Sequence, residues 1–191
     1  MPRKQDGCLY TYYQFHSATD RANALAVDIL PFVFIAKNDT DESVSEEFSK
    51  TWADNTGGSG AIKLYLKEIV QLATANISSA RWATRQTCAL ALAGAATSIG
   101  HDTDALQLEI LWPAVVTAAS GRSWKGKGKV VEALVALAVN TKRHVNQDAK
   151  KLEEIEQVST LAINYWRTTD GPHRSLFERP SAITSPIAAL R

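Results

Sequence analysis

Apolar residues at helical spacing occur in this chain as paired stripes, and the pairs recur at intervals of about 40 residues, a pattern that few folds accommodate. The first pair lies in residues 24–54, ALAVDILPFVFIAKNDTDESVSEEFSKTWAD. Leu25, Ile29, Phe32 and Ile35/Ala36 follow one another at three and four residues, as one buried helical stripe requires. Pro31 falls inside this stripe, where the lost backbone donor predicts a kink or a split near Leu30. Val44, Phe48 and Trp52 form the second stripe. Asp39, Thr40 or Asp41 is placed to cap it, and Glu42, Glu46 and Glu47 meet the positive end of its dipole. Asn55 to Gly60 reads as a loop on its glycines.

The second pair is Ala61 to Ile77 and Arg81 to Ile99. Leu66, Ile69, Val70 and Ala73 supply the first stripe, extended by Ile62 and Tyr65; Trp82, Ala89, Leu92 and Ala96 supply the second, with Ser78-Ser79 as its cap. Alanine dominates this second helix, which favours helix formation and close approach of neighbours. Gly100 to Asp104 has the glycine stop and polar cap of a helix-to-helix turn. The third pair runs from Ala105 to Ala119, with Pro113 inside it, and from about Trp124 to Val139, with Val130, Leu134, Leu137 and Ala138 on one face. A further helix is expected from Gln147 to about Trp166, with Leu152, Ile155, Val158/Ser159 and Ala162 inward and Lys150, Lys151, Glu153, Glu154 and Glu156 around it.

The repeat has a measurable period. Trp82 and Trp124 are 42 residues apart, and at that offset Ala91 meets Ala133 and Leu92 meets Leu134. In the first helices Lys67 and Pro113 are offset by 46 and Pro31 and Lys67 by 36. These spacings scatter around the roughly 40 to 47 residues of HEAT or armadillo units. No strand pattern competes. The expected fold is all-α, an α-solenoid of about three HEAT-like helix pairs with a partial fourth: a poorly defined N-terminal stub over 1–17, helical repeats over 18–166, and an irregular tail over 167–191 punctuated by Pro172, Pro180 and Pro186. Each pair buries one side only against its neighbour, so terminal pairs need caps. Neither end offers one in the sequence, and a piece of a longer array is expected.

The remaining chemistry is sparse. With 21 Lys+Arg against 20 Asp+Glu, the net charge of +1 argues against a nucleic-acid binder working by phosphate neutralisation. The two cysteines provide no disulfide framework, and no apolar run approaches the roughly 18 to 20 residues of a membrane span. Neither a secretory signal nor membrane insertion is expected. Gly121-Arg-Ser-Trp-Lys-Gly-Lys127 satisfies G-x-x-x-x-G-K, but Gly128 replaces the magnesium-binding Ser/Thr and a helix precedes it instead of a strand. The acidic turn around Asp39 and Asp41 lacks the glycine and ligand spacing of a calcium loop. His16, His101, His144 and His173 are scattered, and Cys88 sits in an alanine-rich helix. No catalytic, cofactor, small-molecule or metal residues are assigned. The candidate partner contact is the basic turn Arg122, Trp124, Lys125, Lys127 and Lys129, with carboxylate-pairing cations beside an aromatic anchor. The competing reading packs Trp124 into the interhelical core, like Trp82, and leaves the lysines solvated.

Several local sequences together resemble one family: Trp52-Ala-Asp-Asn-Thr-Gly-Gly-Ser59 followed by Leu64-Tyr-Leu66, Ser79-Ala-Arg-Trp82, and Gly121-Arg-Ser-Trp-Lys-Gly-Lys127 before an apolar helix. Over about residues 22 to 158 the chain is similar to part of the C-terminal region of the large HEAT-repeat proteasome adaptor and scaffold family, its fungal members especially. The resemblance implies a non-enzymatic α-solenoid, cytoplasmic and nuclear, that bridges the proteasome core and regulatory particles in assembly and quality control. A free-standing HEAT-type adaptor for another partner, such as a transport or trafficking factor, is the alternative.

Overall fold

The computed structural model describes residues 25–56, 59–100, 103–120, 124 and 126–168, with the side chains of Ser59, Ser159 and residues 161–168 left out. The expectations for 1–17, and for the tail beyond its first two residues, lie outside the described residues. All regular structure described is helical: α1 (25–36), α2 (Glu42–Asn55), α3 (Ser59–Leu64), α4 (Leu66–Asn76), α5 (Trp82–Ile99), α6 (Ala105–Ala119), α7 (Lys127–Asn140), α8 (Lys142–Val145) and α9 (Ala149–Thr168).

Of the kink or split expected at Pro31, the split does not occur, and α1 runs through it. The carbonyl that loses its donor belongs to Val27, which is 43% exposed, so water can take the bond. Pro113 is accommodated in the same way within α6, where the residue four back is the exposed Glu109. The phase of α1 also differs from the expected stripe. Ile35 and Ala36 are buried as the spacing predicts, but Leu25, Ile29 and Phe32 are each at least half exposed, and Leu30, Val33 and Phe34 are buried instead. The helix is apolar on nearly every side, so periodicity identifies a helix without choosing its inward face. Packing chooses it: the Phe34 ring meets Trp52 of α2 edge-on at 5.0 Å between centroids.

Asp41 proves to be the cap of α2, its carboxylate accepting from the backbone N–H of Ser43 and Val44. These bonds, led by one from the Ser43 hydroxyl, hold the Asp41 carboxyl below its usual pKa. Asp39 accepts from the Asp41 N–H and from Thr87 Oγ1, at 3.1 Å, which ties the acidic turn to α5. The loop expected to extend to Gly60 is shorter, because α3 starts at Ser59. The single helix expected from Ala61 is interrupted at Tyr65, which has φ −101° and ψ 14°. Bonds from Tyr65 N to Ala61 O and from Ile69 N to Tyr65 O span the interruption. Leu66, Ile69, Val70 and Ala73 are buried as the spacing predicts. Ser79 does not cap α5; Arg81 occupies that position without a side-chain bond.

The turn from α5 to α6 follows its sequence signals. Gly100 ends α5 with φ +54°, and Asp104 forms a reciprocal capping box with Gln107. Replacing Asp104 with Ala should lower stability by about 1 kcal/mol, read as a shift of the urea unfolding midpoint. A shift below a few tenths would show that the box contributes nothing here. α7 starts at Lys127, three residues later than expected, and Val130, Leu134, Leu137 and Ala138 are buried in it.

One core runs through the described helices. α5 is central, touching α3, α4, α6 and α7; α6 touches α4, α7 and α9, and α7 also touches α8 and α9. Alternate helices are therefore neighbours: α4, α6 and α9 in one succession, α5 and α7 in the other. The short α8 was not anticipated from the sequence, and α9 extends two residues past the expected Trp166 boundary.

Candidate partner-binding surface

The basic turn lies between α6 and α7. Of its five candidate residues, Arg122 and Lys125 are outside the described residues. Trp124 precedes α7 and does not open it, as the sequence reading supposed. Its side chain is half-buried and packs against the core. Gly126 then turns the chain into α7 at φ +102°; a Cβ there would stand 2.9 Å from Trp124 Cζ3, so the indole and the left-handed backbone both require glycine. Lys127 Nζ donates to the carbonyl of Ser120 at 3.1 Å, tying the end of α6 to the start of α7. Burial lowers the pKa of this ammonium. Lys129 is exposed. The residues thus divide between holding the turn, by Trp124 and Lys127, and facing solvent, by Lys129.

Trp82 does not behave like Trp124. It is 42% exposed, with the Arg85 guanidinium 5.2 Å from its ring centroid, and Arg85 Nε is anchored by donating to the carbonyl of Ile77 at 3.1 Å. The expected shared packing of the two indoles is corrected. A 42-residue offset equates positions, but Trp124 stands before its helix on a glycine turn whereas Trp82 is the first residue of its own.

A second basic feature escaped the sequence reading. Thr103, Asn140, Thr141, Lys142, Arg143, His144 and Asn146 line an open cleft of about 540 Å³. The hydroxyls of Thr103 and Thr141 are committed to the carbonyls of Gly100 and Leu137, and Lys142, Arg143 and His144 give the cleft its basic character. The Lys142-Arg143-His144 triplet is the signal in the sequence, obscured because it lies between two expected helices and in neither.

Cys88 is buried, and desolvation pushes its thiol up to about 11, unfavourable for a nucleophile. Among the described residues no group of three or more His, Cys, Asp or Glu is placed to hold a metal, and no helix is long and apolar enough to cross a membrane. The G-x-x-x-x-G-K segment follows helix α6, not a strand.

Helices packed in succession, with basic and aromatic side chains at some of their turns, make the described residues an all-helical fold. By sequence, the chain is homologous over a short region to the ECM29 proteasome adaptor and scaffold proteins. It is 34% identical over 130 residues to the proteasome component ECM29 of Saccharomyces cerevisiae, a match covering 68% of this chain and 7% of the yeast protein. The human proteasome adapter and scaffold protein ECM29 is 29% identical over 122 residues, covering 59% of this chain and 6% of the human one. The Schizosaccharomyces pombe proteasome component is 24% identical over 148 residues, covering 78% and 8%. The chain therefore matches only a small part of each relative's length. No protein-family profile and no solved structure matches it.

Proposed function

We propose that this chain is a segment of a proteasome adaptor and scaffold, acting through surfaces of a HEAT-like α-solenoid and not through catalysis. The observation that carries this reading is the 34% identity to the yeast proteasome component over 130 residues. The succession α4, α6, α9 beside α5, α7 supports a solenoid, since stacked helix pairs place each helix against its equivalent in the next pair. In this reading residues 18–166 are the repeat region, flanked by a stub over 1–17 and a tail over 167–191, and the protein works in the cytoplasm and nucleus, where it links core and regulatory particles. The basic turn of Arg122, Trp124, Lys125, Lys127 and Lys129 is its candidate contact, offered to acidic surface. Trp124 and Lys127 shape the turn, while Lys129 and the neighbouring cations meet the partner.

The purified chain should bind purified proteasome core or regulatory particles saturably, in a sedimentation or interferometry assay. Lys125→Glu with Lys129→Glu should weaken this about tenfold, with a smaller effect in high salt. Unchanged affinity would reject the basic turn as the contact. Binding to neither particle would remove proteasome recognition from this segment, and co-purification with a trafficking factor instead would favour the alternative adaptor reading.

A further inference from the structure

The first half of α9, residues 149–158, is attached to the fold differently from the helices before it. α5 and α7 sit in the core through long apolar faces, α7 by Val130, Leu134 and Leu137 among others. In the described part of α9 the buried apolar residues are Ile155 and Val158, with Leu152 half-covered; the other buried residue is Lys151. The sequence placed Lys151 on the outer, charged side of this helix, and the structure corrects that.

Towards α6 the contacts are polar. Lys151 Nζ lies 2.8 Å from Glu109 Oε1 of α6 and 2.6 Å from Asp148 Oδ2, at the start of its own helix. Trp112 Nε1 of α6 donates to Glu154 Oε2 at 2.7 Å, and Lys150 stands 3.9 Å from the other oxygen of that carboxylate. Both bonds between α6 and α9 join residues 42 positions apart, so one turn of α6, Glu109 and Trp112, is matched to one turn of α9, Lys151 and Glu154. Two directional bonds with a common offset set the rotation and register of residues 149–158, which the seam of Ile155 and Val158 alone would specify poorly.

The exposure of the partners is unequal. The Lys151 side chain is 10% exposed, whereas those of Glu109 and Asp148 are 66% and 37% exposed. Departure of residues 149–158 would return a desolvated ammonium to water while uncovering only Ile155, Val158 and the covered part of Leu152. Because the carboxylates already stand in solvent, their hold on Lys151 is open to screening by salt. Few buried apolar contacts and a screenable polar attachment are the physical marks of an element that opens locally.

We propose that residues 149–158, the first half of α9, form a releasable segment, latched to α6 by Lys151 between Glu109 and Asp148, which opens locally while α4 to α7 remain folded. This stands independently of what the chain binds.

Amide hydrogen exchange of the full chain tests it, at about 0.01 M and about 1 M salt, between which the screening length falls from about 30 Å to about 3 Å. At low salt, peptides from 149–158 should exchange at least about tenfold faster than peptides from 130–138. At high salt the α9 peptides should accelerate by about threefold and those of α7 should not. Lys151→Met keeps the buried stem and removes the charge, and should abolish the salt response of α9. Glu109→Gln, at an exposed position where folding is not at stake, should reduce that response. Equal protection of α9 and α7, or a salt response undiminished in both variants, would overturn the proposal.

Discussion

Phe34→Ala should destabilise the protein by about 3 to 5 kcal/mol, a large part of the 5 to 15 kcal/mol typical of a folded domain. Phe34 is fully buried, at 0% exposure, and its ring is packed edge-on against Trp52. Lys37 Nζ lies 4.8 Å from the same ring centroid, and burial lowers its pKa. Removing the ring leaves a cavity between α1 and α2, and takes an aromatic face from a cation that has given up part of its hydration. The urea midpoint should fall steeply with little change of slope. Phe32→Ala is the control, two residues away and 55% exposed; it should cost far less. Similar losses from the two variants would mean that the inward face of α1 is not the one described.

Ala91→Leu should cost about 1 to 3 kcal/mol although it adds only apolar atoms. Ala91 has 0% exposure in α5, the helix enclosed by α3, α4, α6 and α7. The added carbons have no void to enter, so a neighbour must move or a rotamer must strain. Ala83→Leu, on the exposed first turn of the same helix, should stay within about 0.5 kcal/mol of the parent. Thermal or urea unfolding of the two variants separates overpacking from any general effect of losing alanine. A neutral Ala91→Leu would show that the α5 contacts are looser than the burial implies.

Much of the architecture is written locally. α6 occupies the predicted residues, because Asp104 and Gln107 close a capping box and Gly100 turns the chain before it. The inward faces of α4 and α7 follow from spacing, since each helix has a polar side for contrast. α1 lacks that contrast, so spacing points Leu25, Ile29 and Phe32 inward where packing leaves them exposed. The candidate contact was less legible than the fold. Sequence proximity grouped Trp124, Lys127 and Lys129, but a covered indole, a lysine bonded to Ser120 and an exposed lysine differ in what they can offer a partner. Lys151 was misplaced for a similar reason: a lysine among glutamates reads as surface unless its partner on another helix is known.

The sequence by itself determined that the described residues are helical, where most of their turns fall, and the homology over a short region to proteasome scaffold proteins. Each of these depends on residues close together in the chain or on an ordered string of matches. Only the tertiary structure decided which side of α1 is buried, that Trp82 and Trp124 part ways, and that Lys151 is enclosed by Glu109 and Asp148. Those outcomes are set by burial and by partners up to 42 residues away, and neither helical period nor local charge encodes which of several competing contacts is made.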